Sequence, residues 1–105
     1  MAEVSLDQLA RLWDEFRSMP FPRDFYQREP EGKCVVMMDS TLAGCISSVL
    51  DGPLDDRRRD ILRGRITALG AILPTIADDE YATTYFTHLH GTAVLAAEVD
   101  RSRSE

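Results

Sequence analysis

Lysine is nearly missing from this 105-residue sequence, one against eleven arginines, and cysteine occurs only twice. A GC-rich bacterial genome would produce that arginine bias without functional selection. Two cysteines allow one disulfide at most, so the chain is no disulfide-stapled scaffold, and free buried thiols in a reducing compartment are the expected state. No stretch approaches the roughly 18 consecutive apolar residues of a membrane span. The opening Met1-Ala2-Glu3-Val4-Ser5-Leu6-Asp7 lacks the basic start and apolar run of a secretion signal. The expected setting is therefore cytoplasmic, with no membrane contact.

Positive charge is also short. Twelve basic against 18 acidic side chains leave a formal net charge of -6. That balance disfavours general nucleic-acid binding, which draws most of its sequence-independent affinity from neutralising phosphates. Catalytic signatures are missing as well: no Gly-x-Ser-x-Gly, no glycine-rich phosphate loop after a strand, no His-Glu-x-x-His. The reading is of a non-enzymatic protein with no cofactor.

What is present suffices for one core. Leu, Ile, Val and Phe number 26 of 105 residues, above the roughly 20% below which disorder is expected. The length suits a single domain spanning 1–105. Ser5-Leu6-Asp7-Gln8 has the form of a capping box, and Leu9, Leu12, Trp13 and Phe16 follow on one stripe until Pro20 and Pro22. These mark a first helix over 5–19. Asp39 or Ser40 can cap a second helix over 39–51, with Leu42, Ile46, Val49 and Leu50 on its stripe and Gly52 to end it.

Asp51-Gly52-Pro53 then reads as a tight corner into a third helix over 54–73. Pro53 suits its start, and Asp55 and Asp56 suit the positive end of its dipole. Leu62, Ile66, Leu69 and Leu73 form its inward stripe. Ile61, Gly64, Ala68, Ala71 and Ile72 form a small-residue flank, which leaves homodimerisation open. Thr75-Ile76-Ala77-Asp78 resembles a second capping box before a fourth helix over 76–100, whose stripe is Ala82, Phe86, Leu89, Ala93 and Ala96. Residues 101–105 are expected to fray.

Short second and third connections imply antiparallel neighbours. The fold class is mainly α, a four-helix antiparallel bundle with a long first connection. Within that connection, Glu29-Pro30-Glu31-Gly32 has Pro and Gly at turn positions between Phe25-Tyr26 and Cys34-Val35-Val36-Met37-Met38. Periodicity over so short a run does not separate a strand from an early helix start. The turn signal tips the reading toward a short β-hairpin over 25–38.

The leading functional candidate is a row on the fourth helix: Tyr81, Tyr85, His88 and Thr92, spaced four, three and four residues apart. Tyr and His combine an apolar body with a polar tip, which suits a contact surface. It equally suits sealing the edge of a core. Trp13, Phe25 and Tyr26 join the row as a candidate surface for another protein, and the expected role is that of a regulator, adaptor or toxin-neutralising module. The alternative is a ligand- or metal-binding pocket near Cys45, Tyr85 and His88, with or without catalysis.

Zinc at Cys34, Cys45, His88 and His90 is disfavoured, because the spacing matches no compact zinc pattern and the two histidines diverge by about 200° around a helix. Arg57, Arg58, Arg59, Arg63 and Arg65 can pair with Asp55, Asp56 and Asp60 one turn away, so they read as a solvated face. Arg58 stands apart, one turn before Leu62, where it can cover the core or meet a carboxylate from another helix.

Overall fold

In the computed structural model, which describes residues 6–104, the last helix sets the size of the molecule. At ~1.5 Å per residue, the 25 residues of Glu80–Ser104 run the whole of its 39 Å long axis. Four helices are described: α1 (Leu6–Arg17), α2 (Val35–Asp51), α3 (Asp56–Ile72) and α4 (Glu80–Ser104). The protein is mainly helical, and no strand occurs among the described residues. No described helix is long and apolar enough to cross a membrane.

Side-chain contacts give the helix directions. Leu12, Phe16 and Pro20 meet His88, Tyr85 and Tyr81 in reverse order, so α1 and α4 run oppositely. Arg59 meets Asp100 and Gly70 meets His90, so α3 also runs against α4. Asp39 meets Tyr85 and Leu54 meets Asp100, which makes α2 and α4 run the same way. The two form a central pair, and α1 and α3 each pack against both.

The core follows the stripes. Ala82, Phe86, Leu89, Ala93 and Ala96 of α4 are all fully buried, against Leu9 and Phe16 of α1, Leu42, Ile46 and Val49 of α2, and Leu62, Leu69 and Ile72 of α3. Each fully buried large apolar side chain contributes about 1.5–3 kcal/mol relative to exposure, so α4 cannot leave the core without unmaking it. The small flank of α3 divides: Ile72 joins the core, while Gly64 and Ala71 stay exposed.

The hairpin expected over 25–38 does not form. Pro30 and Gly32 do make a turn, with the Gly32 N–H donating to the Glu29 carbonyl at 3.0 Å and Gly32 at φ 71°. That turn feeds a helix. Val35, Met38, Leu42, Cys45 and Val49 are buried at three- and four-residue spacing, while Met37 is 66% exposed. A strand would have placed Val35 and Met37 on one face. Cys34, not Asp39 or Ser40, occupies the N-cap position, and its side chain makes no capping bond.

The rest of the first connection is irregular, with a 3-10 turn at Arg23–Tyr26 that drives Phe25 into the core. Other ends shift as well. Ser5, the proposed first cap, lies outside the described residues. Asp55 caps α3 by accepting from the Arg58 N–H at 2.8 Å, which leaves Pro53 outside the helix. Pro74 starts a 3-10 turn, Leu73–Ile76, and Asp79 then caps α4 by accepting from the Ala82 N–H at 2.9 Å. Thr75 instead donates back to the Ile72 carbonyl. At its far end α4 continues past Asp100 through Arg101–Ser104.

Candidate functional site

Helical spacing places Tyr81, Tyr85 and His88 in line along α4, and each polar tip reaches a different element. Tyr81 Oη donates to the Pro20 carbonyl at 2.5 Å, just beyond α1. Tyr85 Oη donates to Asp39 Oδ2 on α2 at 2.6 Å. His88 Nε2 lies 3.1 Å from the Leu12 carbonyl of α1; a carbonyl only accepts, so this nitrogen carries the proton. Thr92, last in the row, donates to the His88 carbonyl of its own helix at 2.8 Å. Three of the four side chains thus pin the first half of the chain to α4.

The ring bodies form one aromatic layer behind those tips. Phe16 lies 4.9 Å from Tyr85, with Trp13 stacked beyond it at 6.1 Å. Phe21 meets Tyr26 at 4.7 Å and Phe86 at 5.9 Å, and Phe25 meets Phe86 at 5.6 Å. Edge and tilted contacts of this kind add roughly 0.5–1.5 kcal/mol each beyond burial.

Of the six candidate surface residues, Phe25 and Tyr85 are therefore buried, and Trp13 and His88 are half-buried. Tyr26 and Tyr81 remain at the surface, 64% and 42% exposed. Both border the same ring layer: Tyr81 lies 6.3 Å from Tyr85, and Tyr26 rests on Phe21, which meets Tyr85 at 5.7 Å. Burial, reinforced by the Asp39 carboxylate, pushes the Tyr85 hydroxyl far above its ordinary range, so it stays a donor. Burial also raises the Asp39 carboxyl, and the bond from Tyr85 draws it partly back.

Two open hollows flank the exposed tyrosines. One, of about 710 Å³, lies against Tyr81 with Asp24, Arg28, Asp78, Asp79 and Glu80 around it. The other, of about 430 Å³, lies against Tyr26 and shares Asp24. Nothing in the spacing of the chain pointed to Asp24 or Glu80 as neighbours of these rings. The proximity depends on the Arg23–Tyr26 turn folding back onto the start of α4.

Cys45 keeps other company. Its thiol is raised by burial and lowered in part by Arg58 and Arg65 of α3, whereas His88 faces α1. Tyr85 and His88 both meet Phe16 of α1, Tyr85 also bonds Asp39 of α2, and the charges that act on Cys45 come from α3. Both cysteines are free, Cys45 buried but Cys34 exposed, contrary to the expectation that both would be buried. No group of three or more His, Cys, Asp or Glu side chains could hold a metal ion among the described residues.

Neither alternative for Arg58, covering the core end or meeting a carboxylate from another helix, is realised; such a carboxylate, Asp100, takes its neighbour Arg59. Arg59 Nε lies 2.6 Å from Asp100 Oδ2, and Arg59 Nη2 donates to the Leu54 carbonyl at 2.9 Å. Asp100 Oδ1 accepts from the Leu54 N–H at 2.8 Å. Arg58 stays exposed beside Asp55, at 3.9 Å. The sequence did carry a signal for Asp100, which stands four residues after Ala96 on the buried stripe. No protein family, curated protein or solved structure matches the chain.

Proposed function

We propose that this protein is a non-enzymatic interaction module of the regulator, adaptor or toxin-neutralising kind, an antiparallel helical bundle whose exposed tyrosine edge meets another protein. The observation that carries this reading is the exposure of Tyr26 and Tyr81, 64% and 42%, at the edge of one layer of packed rings. Exposed aromatics held by their neighbours lose little freedom on docking and are enriched where proteins bind one another. A cytoplasmic setting suits two free thiols.

The test is recovery of partners from the native cell with two baits, wild type and Tyr26→Ser. Tyr26 makes no hydrogen bond to the rest of the fold among the described residues, so its loss should leave the helices intact. The expected result is a protein retained by the first bait and lost with the second. Recovery of the bare protein in both, or equal retention by both, would overturn the proposal.

A further inference from the structure

The surface between the Arg23–Tyr26 turn and the first turn of α4 combines two features that together select an occupant. The first is rigid aromatic surface. Tyr81 is held at its hydroxyl by Pro20 and on its ring by Tyr85, 6.3 Å away, yet stays 42% exposed. Tyr26 rests on Phe21 and is 64% exposed. The face of a phenol ring carries negative quadrupole density and attracts cations lying over it.

The second feature is uncompensated negative charge in the larger hollow; in the smaller one Arg23 stands beside Asp24 and Tyr26, and the charges balance. Asp24, Asp78, Asp79 and Glu80 face a single cation, Arg28, in the larger one. Arg28 is already engaged, with Nη2 3.2 Å from Asp78 Oδ1 and its guanidinium 4.9 Å from the Phe25 ring centre. Asp79 uses one oxygen as the cap of α4. Asp24 and Glu80 form no ion pair among the described residues.

Anionic ligands are repelled from such a surface. The carboxylates are not gathered as a metal cage, and two adjoining hollows joined at Asp24 exceed what one small cation would fill. Resting on the interaction-module reading above, we infer that this tyrosine-walled cleft docks an arginine- or lysine-bearing segment of the partner protein. A cationic head lies over Tyr81, where Asp24 and Glu80 accept its N–H groups, while Tyr26, beside Arg23, packs against the stem of the docked segment.

The experiment is amide NMR of the isotope-labelled full chain, titrated with deca-arginine peptide at physiological ionic strength. Expected are shift changes confined to residues 23–28 and 78–84. Affinity should fall about fivefold or more in Asp24→Asn/Glu80→Gln and stay unchanged in Asp7→Asn/Asp14→Asn, which removes the same charge from α1. Shifts spread over α1 and α3, equal weakening by both charge pairs, or no binding would each overturn the inference. The two proposals fail separately. A natural partner released by Tyr26→Ser but retained by Asp24→Asn/Glu80→Gln removes the cationic chemistry and leaves the interaction module standing.

Discussion

Arg59 Nε lies 2.6 Å from Asp100 Oδ2 across 41 residues of sequence, joining the first turn of α3 to the last turns of α4. Asp100 is 1% exposed, and it also holds the Leu54 N–H in the corner between α2 and α3. Removing Arg59 takes a charge-assisted bond from the buried Asp100, which keeps the Leu54 N–H, and costs about 1.5–3 kcal/mol, whereas removing Asp100 leaves Arg59 with Asp56 at 3.0 Å. Domains of this size have about 5–15 kcal/mol in total. Asp100→Ala and Arg59→Ala should each lower the urea midpoint. A loss below about 1 kcal/mol for both single variants would show that the pair contributes little.

The buried Asp100 and the half-buried Asp39 should give opposite pH signatures. Burial alone would raise Asp100, but the bonds from Arg59 and Leu54 outweigh it and hold its carboxyl below the usual range. Its stabilising contribution is therefore present above the unfolded value, about 3.9, and is lost as pH falls through the folded one. Asp39 is raised, so its ionisation costs stability as pH rises from that same unfolded value through its folded one. Asp39→Asn keeps an acceptor for Tyr85 and removes that ionisation. Relative to wild type, it should gain stability between pH 4 and pH 7 in urea titrations; a pH-independent difference would contradict the assignment.

Tyr85→Phe removes the donor from Asp39 while keeping the ring in its aromatic layer. A half-buried acceptor left without its partner costs about 1 kcal/mol, read as a drop of several degrees in melting temperature. No change in melting temperature would mean that water replaces the phenol at no cost.

The start of α2 can be tested by charge placement. Val35 and Met38 are buried, and Met37 is exposed. Val35→Asp and Met38→Asp should both be strongly destabilising, by about 2 kcal/mol or more, because each buries an unpaired charge. Met37→Glu should stay within about 0.5 kcal/mol of wild type. Chemical denaturation distinguishes this pattern from a strand's, in which Met37 would share the buried face with Val35.

The physical reasons for what was and was not legible differ by residue. The α4 stripe was readable because Ala82 to Ala96 repeats the helical period over several turns. The run Cys34–Met38 was not, since five apolar residues satisfy both periods; only its continuity with Leu42 and Cys45 decides for helix. Arg58 and Arg59 are both one turn from Leu62, and the difference between them rests on the place of Leu54 in the corner. The row of Tyr81, Tyr85 and His88 was visible as a row. Its partners lie 61, 46 and 76 residues away, beyond the reach of any local pattern.

The order in which the chain is made gives the position of α4 a further meaning. α1, α2 and α3 each pack against α4, and α1 relies on it for the contacts of Leu12, Phe16 and Pro20. A ribosome makes α4 after α1, α2 and α3, so these three emerge with the apolar residues that α4 covers still unpaired. Such nascent surfaces are prone to misassociation. Asp100 can close on Arg59 only once both have left the exit tunnel, so the corner at Leu54 is completed late in synthesis.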